Sequence, residues 1–359
     1  MGPGERLPLI VTEDEGLLDD LLRLCAAAGT RAEVAQRAVP GDWTAAPLVL
    51  VGDDCAGRLL EAPRRGGVLL IGGDLDDAAV WQRALTLGAE HVLFLPDAES
   101  WLVDRIADAV EGAGAQALTV GVIGGCGGAG ASTLACALAV TAARTGRRTM
   151  LVDGDPLGGG IDVLLGGERA GGLRWPAFAE SRGRIGGGAL EEALPELHEL
   201  RVLSWDRGDA VAVRPEAMRS VLAAARRRGG VVVVDLPRRV DETVVEALAQ
   251  VDVGLLVVPA QLRAVAAARR VAGAVGMVLG DLRVVVRGPG VSGLADEEIA
   301  GLLGLPLTGE LLAEPGLLQE QDAGVPPGSR AAGPLARFCD AFWARALPPA
   351  PAGGGGVAA

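Results

Sequence analysis

Residues 125–133 read Gly125-Cys126-Gly127-Gly128-Ala129-Gly130-Ala131-Ser132-Thr133, a glycine-rich run that ends in two hydroxyls. Glycines let a backbone curl so that successive N–H groups converge on an anion at a helix N-terminus, which is the chemistry of a phosphate loop. In that chemistry Gly125, Gly127, Gly128, Ala129, Gly130, Ala131, Ser132 and Thr133 line the phosphates, and the Ser132 hydroxyl stands where Mg²⁺ would be ligated. The usual spacing puts a lysine where this chain has Ala131. Carboxylates follow at strand ends. Thr149-Met150-Leu151-Val152 runs into Asp153 and Asp155, and Val231-Val232-Val233-Val234 runs into Asp235. Asp162 comes just after Gly158-Gly159-Gly160.

The absent lysine at Ala131 is part of a wider absence. All 33 basic residues are arginine, and the chain has no lysine, asparagine or tyrosine. Schiff-base chemistry and a lysine general base are thereby excluded. Arginine serves as well as lysine on a surface but not at a tight phosphate site. The net charge is −13, which argues against a general nucleic-acid binder because affinity for phosphate backbones needs clustered positive charge. Arg226-Arg227-Arg228 closes an alanine-rich helical pattern, where it complements the helix dipole. Five cysteines, odd in number and without a CxxC spacing, fit reduced buried thiols of a cytosolic protein. Two histidines make a histidine-rich metal site improbable. No basic start followed by an apolar core opens the chain, so no signal peptide is expected.

The elements that must position these residues can be read from hydrophobic patterning. Within 359 residues there is room for two ordinary domains. Over residues 1–110, apolar runs at 7–11, 48–51, 68–71 and 92–95 alternate with helical patterns at 15–28, 77–87 and 98–110. That alternation predicts a parallel α/β domain. Residues 111–116 have linker composition. A second α/β run occupies 117–347. It has a strand at 118–123, the glycine loop, a helix at 132–145 and a strand at 149–152. A looser stretch reaches to about residue 208. Beyond it lie a helix at 215–227, strands at 231–234, 253–258 and 282–286, and helices at 294–303 and 334–347. The near-continuous apolar runs at 231–234 and 255–258 suit central strands covered on both faces. No charge occurs between residues 112 and 143, yet the glycines in the middle favour a buried strand, loop and helix over a membrane span. The tail, 348–359, with its four glycines, is expected to be disordered. Trp175 and Trp205 are expected to lie buried under the irregular stretch.

Two resemblances give these elements a family. Glu13-Asp14-Glu15 after the first strand and Gly88-Ala89-Glu90-His91-Val92-Leu93-Phe94-Leu95-Pro96 resemble a response-regulator receiver, with Asp53 and Asp54 near the phospho-acceptor position. Leu95 stands where receivers have lysine and Gly72 or Gly73 where they have threonine or serine, so the resemblance is to a degenerate receiver used for contacts. In the second domain the glycine loop, Thr149-Met150-Leu151-Val152-Asp153-Gly154-Asp155-Pro156, Val231-Val232-Val233-Val234-Asp235-Leu236-Pro237 and Val257-Val258-Pro259 follow in order. That series resembles the deviant Walker A, Walker A′, Walker B and strand–proline motifs of the MinD/ParA (SIMIBI) ATPase superfamily. Gly172-Leu173-Arg174-Trp175, Val202-Leu203-Ser204-Trp205-Asp206-Arg207-Gly208 and Val234-Asp235-Leu236-Pro237-Arg238 look like its actinobacterial CpaE-like branch, which includes the septum-site-determining protein.

The resemblance implies an α/β fold of a flavodoxin-like receiver domain (1–110) followed by a mainly parallel P-loop domain (117–347). It implies ATP and Mg²⁺ as ligands, Asp155 positioning the attacking water or the metal with Asp153 nearby, Asp235 holding the Mg²⁺ shell, and Asp162 at a switch position. It implies protein partners in division or in pilus and secretion machinery, a nucleotide-dependent homodimer, and a cytoplasmic place. A peripheral membrane contact through the amphipathic segment 335–347 is a further implication, although a closing helix packed on the domain is the more usual role of such a pattern. The family's two loop lysines fall at Cys126 and Ala131, which makes fast hydrolysis doubtful. Two readings therefore stand: an ATP-binding regulator with weak or absent hydrolysis, and a nucleotide-free adaptor acting through protein contacts.

Overall fold

The computed structural model describes residues 7–35, 40–59, 62–73, 77, 79–111, 116–181, 183–208, 211–288 and 293–347. Residues 112–115 of the expected linker and all of the expected disordered tail lie outside the described residues. The chain divides into two compact units, Met1–Ala115 and Gln116–Ala359.

The first unit runs β1 (Leu9–Val11), α1 (Glu15–Ala27), β2 (Glu33–Val34), α2 (Pro40–Ala45), β3 (Val49–Gly52), α3 (Asp53–Ala56), β4 (Val68–Gly72), α4 (Ala79–Leu87), β5 (His91–Phe94) and α5 (Glu99–Glu111). Its five parallel strands lie in the order β2-β1-β3-β4-β5, the flavodoxin-like winding. The apolar runs of β1, β3 and β4 are buried throughout because helices cover both faces. One face packs with Trp43, Val80 and Leu87, the other with Leu21, Leu24, Leu102 and Ile106. The sequence reading misses β2, α2 and α3, each six residues or shorter and so too brief for periodicity to register.

The second unit runs β6 (Leu118–Gly124), α6 (Ala131–Arg144), β7 (Thr149–Asp153), α7 (Gly187–Ala193), β8 (Glu196–Leu197), β9 (Leu200–Leu203), α8 (Pro215–Arg227) and β10 (Val231–Leu236). It continues through α9 (Glu242–Leu248), β11 (Val253–Pro259), α10 (Leu262–Val275), β12 (Leu282–Arg287), α11 (Asp296–Leu303), β13 (Leu307–Leu311), α12 (Leu317–Asp322) and α13 (Pro334–Ala346). Eight strands form one sheet in the order β13-β12-β11-β6-β10-β7-β9-β8, and only β8 runs antiparallel to its neighbour. Helix α6 crosses the sheet with every residue from Leu134 to Ala143 buried. Its many alanines and Cys136 suit a helix enclosed on all sides, where small groups let the neighbouring elements pack close. The uncharged stretch is thus β6, loop and α6, and no helix among the described residues is long and apolar enough to cross a membrane. Helix α13 buries Leu335, Ala336, Cys339, Phe342 and Trp343 in the core beside α6. The Trp343 indole N–H lies 3.0 Å from the Leu138 carbonyl and 3.2 Å from the Thr141 hydroxyl. Its apolar face is therefore filled by the domain, as a closing helix requires.

Candidate nucleotide site

The carboxyl ends of the central strands bring the sequence candidates to one edge, the place where open parallel sheets bind ligands. β6 ends at Gly124, β7 at Asp153, β11 at Pro259 and β12 at Arg287, while Asp235 on β10 pairs in register with Asp153 and with Val122. The loop leaves β6 through Gly125, whose N–H donates to the Val257 carbonyl at 2.8 Å. A methyl at Gly125 would meet Ala268 Cβ at 2.7 Å, so only glycine lets the loop start this close to β11 and α10. Gly128 (φ +69°) and Gly130 (φ +95°) take left-handed turns and bring the chain round into α6. Gly130 caps that helix without a side-chain bond, so no capping side chain takes up the first-turn N–H groups.

The carboxylates divide by what they already hold. Asp235 is 4 % exposed and lines the same small chamber as Ser132, whose hydroxyl acts on its carboxyl. Burial pushes that carboxyl up to about 7, opposed by the Ser132 hydroxyl and reinforced by the charges of Asp153 and Asp155. Asp153 is pushed up to about 6, again chiefly by burial. It accepts from the Ile161 N–H at 2.8 Å, the Asp155 N–H at 3.2 Å and the Ser204 hydroxyl at 3.1 Å, which pins the turn 155–161. Asp162 is fully buried; both terminal nitrogens of Arg207 reach it at 3.0 Å, Arg174 at 3.2 Å and the Ser204 hydroxyl at 3.2 Å. Asp155 remains half-buried, with one oxygen accepting from the Leu157 N–H at 3.0 Å. It faces a chamber of about 180 Å³ together with Ser132, Asp153 and Asp235. Trp175 and Trp205 pack under this network, ring centroids 5.8 Å apart, as expected from the sequence.

A groove of about 580 Å³ runs past the loop, Asp155, Asp235, Arg238 and Arg287. Gly130, Thr133, Arg287, Leu317 and Leu318 also line a second cavity of about 550 Å³, walled by Pro259, Leu311, Leu312 and Leu335. The arrangement is a polar anion cradle opening into an apolar slot. The sequence reading did not anticipate that slot, because β13 and α12, which wall it, went unassigned. Ser132 and Asp235 line one chamber beside the loop, an oxygen donor set of the kind a hard cation such as Mg²⁺ would take together with phosphate. Among the described residues no group of three His, Cys, Asp or Glu could hold a metal by itself.

The first unit keeps the acidic pocket of a receiver without its lysine. Asp54 accepts from the Thr12 hydroxyl at 2.9 Å and the Glu13 N–H at 2.6 Å. Arg83 grips Asp53 through two nitrogens at 2.5 Å, and Arg58 pairs with Glu13. Leu95, partly buried, joins the apolar cluster around Leu21 and Ile106.

Comparison with known proteins agrees with this architecture. Residues 11–117 match the family described as the Rv3660c-like, CheY-like N-terminal domain. Proteins MT3760 and Rv3660c from two Mycobacterium tuberculosis strains are each 41% identical over 320 residues, spanning 87% of this chain and 90% of theirs. Among solved structures, a ParA family ATPase from Chlorobium tepidum superposes with a TM-score of 0.57 at 17% identity, covering 64% of this chain and 98% of that one. The MinD cell division protein of Aquifex aeolicus gives 0.53 at 19%, covering 64% and 96%. MinD of Pyrococcus horikoshii, complexed with Mg-ADP, gives 0.50 at 16%, again covering 64% and 96%. The chain belongs to the family of the Mycobacterium tuberculosis protein Rv3660c, with a CheY-like receiver-type domain followed by a domain of MinD/ParA fold.

Proposed function

We propose that this chain is a nucleotide-binding regulator that takes ATP with Mg²⁺ at residues 125–133 and signals through protein contacts. The observation that carries the reading is that Ser132 and the buried Asp235 line one chamber beside the left-handed glycine loop. Buried carboxylates whose ionisation is strongly perturbed cluster at functional sites. Gly127, Gly128, Gly130 and the first turn of α6 would hold the phosphates, and Ser132 with Asp235 the metal. Mg²⁺, when bound, would offset charge between the phosphates. Hydrolysis is slow or absent in this reading: positions 126 and 131 carry no charge, and Asp153 and Asp162 are occupied by hydrogen bonds to their neighbours. The biological role would be CpaE-like, in septum-site placement or in positioning a pilus or secretion machine. Contact with a protein partner is supported by analogy with the Aquifex aeolicus MinC:MinD complex, itself similar in fold, and a nucleotide-dependent homodimer would belong to the same reading. The neutral Cys126 and Ala131 favour one rival, a nucleotide-free adaptor.

Titration of the folded full chain with a fluorescent ATP analogue, with and without Mg²⁺, separates the two. Saturable, Mg²⁺-enhanced binding below millimolar nucleotide is expected; none at millimolar concentration would leave the adaptor. Asp235→Ala should cut the Mg²⁺ enhancement about tenfold, roughly 1.4 kcal/mol.

A further inference from the structure

The loop has lost its lysines, yet an arginine stands over it. We propose that Arg287, at the end of β12, is the cation that binds the nucleotide phosphates in this chain, supplying from across the groove the charge that Ala131 does not carry. The proposal rests on the nucleotide-binding reading above. Four arginines come near the site, and the structure sorts them. Arg174 and Arg207 are spent on the buried Asp162. Arg238 is exposed on the other flank, with a terminal nitrogen 3.8 Å from where a Gly127 methyl would sit. Arg287 alone reaches the centre of the loop. Its Nη1 donates to the Gly128 carbonyl at 3.0 Å, and Nη1 and Cδ lie 3.3 and 3.8 Å from the position of a Gly130 methyl. The left-handed Gly130 therefore has a second reason to be glycine: a methyl there would crowd the Arg287 guanidinium at Nη1.

Its backbone is also fixed. Arg287 pairs in register with Pro259, and its carbonyl accepts from the Ala260 N–H at 3.1 Å. Among the described residues no carboxylate is paired with the guanidinium, so its charge is uncompensated. Of its five N–H donors one goes to Gly128, and a guanidinium can engage phosphate oxygens through two at once. Arg287 lines both the cradle and the apolar slot, the junction at which phosphate oxygens of a nucleotide spanning the two would lie. An arginine two strands away from β6 thus reaches the loop with its long side chain.

The test compares the full-length chain with Arg287→Gln, Arg287→Lys, Arg238→Ala and the double variant Arg287→Gln/Ala131→Lys. Calorimetric titration with ATP, ADP and adenosine, at two salt concentrations, reads each. Arg287→Gln keeps the first three carbons of the stem but loses the charge and the reach of Nη1. It should weaken ATP and ADP at least tenfold, flatten their salt dependence, and leave adenosine and the unfolding midpoint unchanged. Arg287→Lys should retain most of the affinity, and Ala131→Lys should restore part of what Arg287→Gln loses. Wild-type affinity in Arg287→Gln, an equal loss for adenosine, or a loss confined to Arg238→Ala would each overturn the assignment while leaving nucleotide binding intact. Failure of the unaltered chain to bind ATP or ADP would overturn both.

Discussion

At the scale of residues, the site is built from a few groups that tolerate little change and several that tolerate much. Gly125 and Gly127 look alike in the sequence. Their surroundings differ: a methyl on Gly125 would sit 2.7 Å from Ala268 Cβ and 3.0 Å from Val258 Cγ2, whereas nothing lies closer than 3.8 Å to one on Gly127. Gly125→Ala should cost about 2 kcal/mol or more in urea unfolding, by overpacking, and Gly127→Ala less than about 1 kcal/mol. Asp235 gives a pH signature. Its usual value of 3.8 is raised to about 7 in the fold, so between those values the folded chain keeps a proton that the unfolded chain releases. This group's contribution to stability therefore falls as pH rises from about 4 to 7 and is flat above. Without nucleotide or metal, Asp235→Asn should be more stable than the parent at pH 8 by about 2 kcal/mol, less than the full shift because the amide needs partners of its own. That gap should close toward pH 5. A gap that stays constant in denaturant titrations at the two pH values would remove the buried charge from the account. The type and order of Asp153, Asp155, Asp162 and Asp235 were legible as candidates; that Asp162 is wrapped by two arginines was not, because Arg174 and Arg207 lie 12 and 45 residues away in the chain.

Elements that are long and strongly patterned were read closely from the sequence. The helix expected at 215–227 is α8, residue for residue, and the strand expected at 253–258 gains only Pro259 in β11. Those not recognised have weak local signals. β8 and β9 are two and four residues long, α9 and α12 seven and six. α10 is a full 14 residues but opens at Gln261 with no capping side chain. Pairing in the sheet makes strands of such segments where periodicity cannot. Helix α13 illustrates the reverse, a clear amphipathic pattern whose partner the sequence leaves open between membrane and core. The structure packs it on α6 and bonds its Leu335 N–H to Glu314 at 3.0 Å. Trp343→Ala should then cost about 3–5 kcal/mol in urea unfolding. A loss below 1 kcal/mol would mean that the helix does not close the domain in solution.

At the scale of the whole molecule, each unit carries its own core on both faces of its own sheet: Trp43 and Leu21 mark the two sides of the first, Trp175 and Phe342 those of the second. A chain of residues 116–359 should accordingly unfold in a single cooperative transition by calorimetry and keep whatever nucleotide affinity the full chain has, within about threefold. Broad, non-cooperative melting would show that the second unit needs the first. What the sequence by itself determined is the set of local things: two α/β patterns, a glycine loop between a strand and a helix, carboxylates at strand ends, and the absence of every lysine. Backbone preference and hydrophobic period are properties of neighbours in the chain, so they survive without a fold. Only the tertiary structure decided which charges meet. Sheet pairing brings Arg287 to Gly128 across 159 residues, and charge acts through space, with a strength set by distance and burial and not by order in the chain.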